Sequence, residues 1–111
     1  RVVIVRRLPT RADPGVLADR YREALASHAT RHRGWGLVLD LREAPGRSEE
    51  GFENAMAPLN AAARKIFSRV VSLVGSAAGQ LQVNRIARQA GWEALVARDE
   101  ATAIELCRPP R

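Results

Sequence analysis

Four short apolar runs alternate with four amphipathic stretches along the chain. The apolar runs are rich in Val, Leu and Ile, and they lie at 2–5, 35–41, 70–74 and 92–97. The run at 2–5 is continuous and β-branched, which is typical of a strand that is covered on both faces. The order strand-helix, found four times, predicts an α/β fold: one domain, residues 1–111, with a mainly parallel central sheet and helices packed on it.

Local signals place the starts of the first two helices. Asp13 is a predicted N-cap followed by Pro14 at the first helical position, and Ser48 is the predicted N-cap of the second helix. Apolar residues at helical spacing follow each start, which predicts one buried face per helix. Pro58 lies within the second helix, so we expect a kink or a break near 54–57, or a helix that starts again at the proline.

The third and fourth helices follow turns that contain glycine or aspartate. The third follows the turn at 75–79 and ends at Gly91, a natural C-terminal stop, and the fourth is capped by Asp99. Cys107 falls on the apolar side of the fourth helix, where we expect it to pack as a small core residue. The apolar residues of the third helix are expected to face the core: Leu81, Val83, Ile86 and Ala87.

The chain carries a net positive charge, and its basic residues are dispersed along the sequence. Its net charge is +6, and every cationic side chain except Lys65 is an arginine. A basic balance of this size permits a nucleic-acid or other anionic partner. The arginines are nevertheless spread along the chain without a block of five, and there are few aromatic residues that could stack bases. The pattern therefore does not favour nucleic-acid binding.

The sequence predicts a cytoplasmic protein without a membrane segment. A lone cysteine excludes an intrachain disulfide framework and fits a reducing compartment. No apolar run approaches the ~18 residues that span a bilayer, and no signal-like segment is visible. The chain opens at Arg1 within a predicted strand, so we expect that some N-terminal sequence is missing, and with it any upstream strand or targeting signal.

The reactive side chains do not assemble into a catalytic or metal site. His28 and His32 are spaced as metal-binding pairs are, but no cysteine or carboxylate completes a ligand pattern around them. The glycines of the turn at 75–79 lack the Lys-Ser/Thr ending of a phosphate-binding loop. Glu49 and Glu50 are adjacent on a helix and do not face each other. We therefore expect no catalytic residue, no metal and no cofactor, and a protein that is not an enzyme.

The loop at 40–51 is the remaining candidate site, and two interpretations stay open. It is either a connector built from ordinary turn and cap residues, or a protein-docking surface of mixed charge at the mouth of the second helix. On the second interpretation the partner-binding residues are Asp40, Arg42, Arg47, Ser48, Glu49, Glu50 and Gly51.

Around this loop the chain resembles the STAS domains, the anti-sigma-factor-antagonist fold, and in particular their SpoIIAA-like branch. The strand ending Leu39-Asp40-Leu41 is similar to a STAS strand, and 48–51 falls without a gap on the family's Asp-Ser-Ser-Gly motif. The stretch 70–74, the helix around Ile86, Gly91-Trp92 and the segment at 99–103 also resemble the second half of these domains. The resemblance covers nearly the whole chain.

The resemblance implies a non-enzymatic signalling module that docks a partner protein through the start of the second helix. The implied partner is a kinase-like anti-sigma factor or another regulator. The sequence does not define the oligomeric state, for which a dimer is one option. Glu49 occupies the position of the family's phosphoacceptor serine, and Ser48 stands where the family has its acid. We expect that the phosphorylation switch is lost and the surface is constitutive; the alternative is that Ser48 takes the phosphate.

A carrier of a small apolar ligand or lipid is the second function that the resemblance suggests, since SpoIIAA-like domains are similar in fold to lipid-transfer domains of the CRAL-TRIO kind. A carrier needs a large apolar cavity. We expect little room for one in a short chain with many alanines.

Overall fold

Strands and helices alternate along the described part of the chain, as the apolar pattern predicts. The computed structural model describes residues 1–7, 13–43 and 50–108, without the side chains at 50–52. The strands are β1 (Val2–Arg6), β2 (Gly36–Asp40), β3 (Arg69–Leu73) and β4 (Leu95–Ala97). The helices are α1 (Pro14–His28), α2 (Glu50–Ile66), α3 (Ala77–Ala90) and α4 (Glu100–Leu106).

The four strands form one parallel sheet in the order β1-β2-β3-β4. In this sheet Val3 lies opposite Leu37, and Leu37 lies opposite Val70. Because each crossover moves one strand in the same direction, the right-handed rule places α1, α2 and α3 on one face of the sheet. α4 follows the last strand and packs on the opposite face. The predicted α/β fold with a parallel sheet is confirmed.

Alternate residues of each strand contribute to two separate hydrophobic cores, one on each face of the sheet. The core under α1 and α2 contains Val3, Ala18, Leu25, Leu37, Leu59, Ala63, Phe67 and Val70. The core under α4 contains Val38, Val71, Leu73, Ala97, Ala103 and Cys107. Cys107 is thus a buried core residue, as predicted.

The helix starts differ in how well the sequence predicts them. Asp99 accepts a hydrogen bond from the backbone N–H of Thr102 at the start of α4, and Ser76 caps α3 through the N–H of Gly79. Asp13 stands directly before α1, but its side chain forms no cap hydrogen bond. The predicted start of α1, with Asp13 at the N-cap and Pro14 at the first helical position, is confirmed, although this N-cap has no side-chain hydrogen bond. The predicted Ser48 cap lies outside the described residues.

Pro58 does not break α2, which continues from Glu50 to Ile66. The proline deprives the carbonyl of Asn54 of its helical donor. Both Pro58 and Asn54 are exposed, so water can serve as that donor and the helix remains unbroken. A break near 54–57 and a fresh helix start at the proline are therefore wrong, whereas a kink there stays a prediction.

Two further predictions fail on the α3 side of the molecule. Leu81 is 70% exposed, because it lies about 200° around the helix from Val83 and points away from the sheet. The fourth strand begins at Leu95 instead of Trp92. The backbone N–H of Trp92 donates to the carbonyl of Ala87, which closes the end of α3 after the left-handed Gly91.

Candidate functional site

Asp40 is the centre of a charged cluster at the carboxyl end of β2. Its carboxylate is 2% exposed and accepts hydrogen bonds from Arg42 Nε at 3.0 Å, Arg42 Nη2 at 2.9 Å and Arg6 Nε at 3.2 Å. The backbone N–H of Arg42 donates a further bond at 3.2 Å. These bonds, above all those from the Arg42 side chain, lower the pKa of Asp40 to about 2. Asp40 is consequently ionised at neutral pH.

This cluster changes the expected role of Asp40 at the docking surface. A buried carboxylate with three side-chain donors already bound has little left to offer a partner protein. Its effect is to fix two arginines at the edge of the sheet. The side chains of Arg6 and Arg42 keep 56% and 36% of their surface exposed. They, and not Asp40, are the groups that a partner or ligand can reach.

The other predicted partner-binding residues are only partly covered by the structure. Arg47, Ser48 and Glu49 lie outside the described residues. Glu50 and Gly51 form the first positions of α2, and their side chains are likewise outside the description. The docking surface therefore stays a prediction, and so does phosphorylation of Ser48.

A cavity of about 710 Å³ lies between the sheet and helices α1, α2 and α3. It extends from the carboxyl ends of β1, β2 and β3 to Trp92, beyond the end of α3. Much of its wall is apolar and includes Val5, Leu17, Leu39, Met56, Val83 and Ile86. The expectation that this chain has little room for a cavity is wrong.

Small side chains account for the open volume. Ala24 of α1, Ser72 of β3, and Ala78 and Gly79 of α3 all line the cavity. Each of these positions faces the space between sheet and helices without a side chain long enough to cross it. The alanines that suggested a small interior instead leave part of the interior unfilled.

Guanidinium groups outnumber carboxylates around this cavity. The arginines that line it are Arg6, Arg7, Arg20, Arg42 and Arg64. Glu53 is the only carboxylate among the described lining residues, and it is paired with Arg85. The described part of the cavity wall therefore carries more cationic than anionic side chains, and the apolar wall strengthens the effect of any unpaired charge because it replaces water with a medium of low dielectric constant.

Four residues form a polar and aromatic cluster on the cavity wall: Tyr21, Asn60, Arg64 and Trp92. The guanidinium carbon of Arg64 lies 3.4 Å from the centroid of the Trp92 ring, a cation–π contact. The hydroxyl of Tyr21 donates to Oδ1 of Asn60 at 3.3 Å. Burial raises the pKa of Tyr21 to about 12, although the nearby charge of Arg64 acts in the opposite direction. Tyr21 therefore stays a neutral hydrogen-bonding group.

This cluster was not predicted from the sequence, although α2 carries a signal for it. Asn60 and Arg64 are four residues apart, so they lie on one face of a helix that is otherwise apolar on its inner side. Polar residues at that spacing next to a buried stripe indicate a polar contact at the edge of the core. The partners, Tyr21 on α1 and Trp92 after α3, come from distant segments that only the fold brings together.

The remaining sequence candidates do not form a second site. Nδ1 of His28 and Nδ1 of His32 lie 2.7 Å apart, so one imidazole donates to the other. In the described part of the chain, no group of three or more His, Cys, Asp or Glu side chains is placed to hold a metal ion. Burial raises the pKa of the Cys107 thiol, which disfavours the nucleophilic thiolate. Ser76 occupies the turn at 75–79 as a helix cap.

Among residues 1–7, 13–43 and 50–108, no helix has the length and apolar character needed to span a membrane.

Comparisons with protein-family models, with curated proteins and with solved structures found no match to this chain. The resemblance to the STAS domains accordingly depends on the sequence pattern alone, and the cavity is the feature that the described geometry itself offers as a site.

Proposed function

We propose that the protein binds a small, mainly apolar molecule in the cavity between the sheet and helices α1, α2 and α3. The single observation that carries this proposal is the cavity itself. Its volume of about 710 Å³ falls within the roughly 300–1,000 Å³ of pockets that enclose small ligands. Its walls combine apolar side chains with a few polar groups, the usual composition of such pockets. The proposed activity is binding without a chemical reaction.

The test is to fill the cavity from the sheet side. Ser72 is 8% exposed and lies on the cavity wall, so Ser72→Leu places an apolar side chain in the space that a ligand needs. N-phenyl-1-naphthylamine, a neutral apolar dye whose fluorescence rises on burial, is titrated into both proteins. We expect saturable binding to the wild type and a loss of affinity of about tenfold or more in Ser72→Leu, since the two side chains compete for one volume.

A matched control separates this effect from a general gain of apolar surface. Ser27→Leu makes the same change on the exposed side of α1, away from the cavity, and is expected to bind the dye as the wild type does. Equal affinity in all three proteins, or no saturable binding to the folded wild type, would contradict the proposal.

The second candidate function is the docking of a regulatory protein by a STAS-like module of the cytoplasm. Two observations favour it: α2 begins at Glu50, within two residues of the expected Ser48 cap, and Asp40 fixes Arg42 at the same edge of the sheet. On this proposal a carboxylate at Glu49 replaces a regulated phosphate and the surface is constitutive. A bound partner should then be lost from Glu49→Lys/Glu50→Lys but kept by Glu23→Lys/Glu93→Lys, which changes the net charge equally. Loss from both variants would contradict a specific surface.

A further inference from the structure

The arginines around the cavity are not equivalent. Arg6 and Arg42 both donate to Asp40, so part of their charge is already compensated. Arg20 is exposed to solvent on α1. Arg64 is half-buried, and it takes part in no ion pair among the described residues. It therefore brings an uncompensated charge to an apolar wall.

The surroundings of Arg64 explain why this charge is available to a ligand. Its Nε is shielded from solvent and has no hydrogen-bond partner within the described ranges. Trp92 covers one side of the guanidinium at 3.4 Å, which fixes the group while leaving the N–H donors at its edge. Burial lowers the pKa of Arg64, the direction expected for a cation that has lost water without gaining an anion. A buried donor of this kind gains most from an anionic acceptor.

Neutral donors lie beside Arg64. Asn60 stands one turn earlier on α2, and its Oδ1 accepts the hydroxyl proton of Tyr21 at 3.3 Å. This bond orients the amide of Asn60 and leaves its two N–H donors for another acceptor. Arg64 and Asn60 thus present donors together, whereas Glu53, the carboxylate among the described lining residues, is occupied by Arg85.

We infer that the ligand of the cavity is an amphipathic carboxylic acid, whose carboxylate is bound by Arg64 and Asn60 and whose apolar body lies along the cavity wall. This inference deepens the proposed binding function and rests on it. A planar carboxylate matches the in-plane donors of one guanidinium, and one amide serves its second oxygen. A dianionic phosphate favours several cations converging on three oxygens. At Arg64 the structure shows one cation with a neutral amide beside it.

The test compares ligands that differ only in the head group. Decanoate, decanol and decyl phosphate are measured by displacement of N-phenyl-1-naphthylamine from the wild type, from Arg64→Met and from Arg88→Met. We expect decanoate to bind the wild type about tenfold or more tightly than decanol, as a charge-assisted hydrogen bond in a buried site would give. Arg64→Met should remove that difference, and Arg64→Lys should restore part of it by returning the charge without the planar fork.

Arg88→Met is the matched control, because Arg88 is an exposed arginine of α3 that does not line the cavity. It should retain the preference for decanoate. Binding of the neutral dye to Arg64→Met at wild-type affinity shows that the variant folds with its cavity intact. If Arg64→Met lost dye binding as well, the comparison would be made with Asn60→Leu, which removes the amide donors together with the acceptor of the Tyr21 hydroxyl and should weaken decanoate more than decanol.

The outcomes distinguish failure of the carboxylate inference from failure of the proposed binding function. Equal binding of decanoate and decanol to the wild type would overturn the carboxylate inference while leaving the apolar binding site in place. A preference for decyl phosphate over decanoate by about tenfold or more would also overturn it, in favour of a phosphate ligand. Absence of binding by the dye and all three ligands would contradict both.

Discussion

The two faces of the sheet differ in how completely they are packed. On the α4 face Val38, Val71, Leu73 and Ala103 are fully buried. On the opposite face α1, α2 and α3 cover a cavity of about 710 Å³ with arginines on its wall. Both faces are built from the same strands, because successive residues of a strand point to opposite sides. The sheet alone therefore does not decide whether a face is closed.

The difference in packing between the two faces comes from the helices that cover them. α4 is only seven residues long, and it lies close to the sheet because Gly36 and Ala97 beneath it are small. α1, α2 and α3 are longer and meet the sheet through residues of unequal size, so they leave volume between them. Unfilled volume forfeits dispersion contacts and weakens the fold. The face under α4 is thus completely filled, whereas the face under α1, α2 and α3 combines a hydrophobic core with the unfilled volume in which we propose binding.

The largest expected effect comes from adding one methyl group to the α4 face of the sheet. A Cβ at position 36 would lie 2.6 Å from Cβ of Cys107 and 2.9 Å from its Sγ. Cβ of Cys107 is attached directly to the backbone and cannot rotate away, so Gly36→Ala must displace the end of α4 from the sheet. We expect the free energy of unfolding to fall by about 2–3 kcal/mol, measured by urea denaturation.

Two variants test whether the tight packing between α4 and the sheet causes this loss of stability. Cys107→Gly removes both clashing atoms, so Gly36→Ala should cost much less in that background than in the wild type. Ser72→Leu adds a larger group on the cavity face and should change the free energy of unfolding by less than about 1 kcal/mol, since it enters open space. Equal destabilisation by Gly36→Ala in both backgrounds would contradict the contrast between the faces.

Asp40 lies at the edge where the two faces meet, and Asp40→Asn has the next largest expected effect. The change removes the charge that holds Arg6 and Arg42 but leaves a side chain of the same size. We expect a loss of about 1–2 kcal/mol in the free energy of unfolding, at the low end for a buried carboxylate because both arginines keep contact with water.

The pH dependence gives an independent check of this ion cluster. Because folding lowers the pKa of Asp40 to about 2, its stabilisation is fully present above the ordinary aspartate range near pH 4 and is lost as the pH falls towards 2. Unfolding measured at pH 6 and pH 2.5 should therefore show the gap between wild type and Asp40→Asn narrowing in acid. A gap that stays constant would mean that the charge of Asp40 is not what stabilises the fold.

The fold was largely predictable because its signals are local. Val2, Val38 and Val71 belong to short apolar runs that predict strands. Gly91 is typical of the C-terminal end of a helix, and Asp99 is a typical N-cap residue. The failures came where a tertiary contact competes with a local rule. Pro58 is tolerated because it faces solvent, and Trp92 leaves the strand because its backbone closes α3.

The candidate site was much less predictable. A cavity is a property of how helices meet a sheet, and alanine content alone indicates neither a filled nor an unfilled interior. Tyr21, Arg64 and Trp92 are separated along the chain and come together only in the fold. Asp40 was predicted as a partner-binding residue, whereas its burial and its bonds to Arg42 were not visible in the sequence.

The smallest predicted effect concerns the N-cap residues of two helices, α4 on one face of the sheet and α1 on the other. Asp99 before α4 and Asp13 before α1 are both exposed aspartates directly preceding a helix. Asp99 accepts bonds from the N–H and the hydroxyl of Thr102, both at 2.8 Å, and the backbone bond lowers its pKa. Asp13 has no such bond. Asp99→Ala should lower the melting temperature by about 5 °C, whereas Asp13→Ala should leave it nearly unchanged.

The pair is informative because both variants remove one negative charge from the start of a helix. If that charge acted mainly through the helix dipole, the two substitutions would lower the melting temperature by similar amounts. A larger shift for Asp99→Ala would locate the effect in its hydrogen bonds to Thr102, and therefore in the helix that closes the packed face. A larger shift for Asp13→Ala would reverse the comparison, because stability would then depend more on the start of α1, beside the cavity, than on α4.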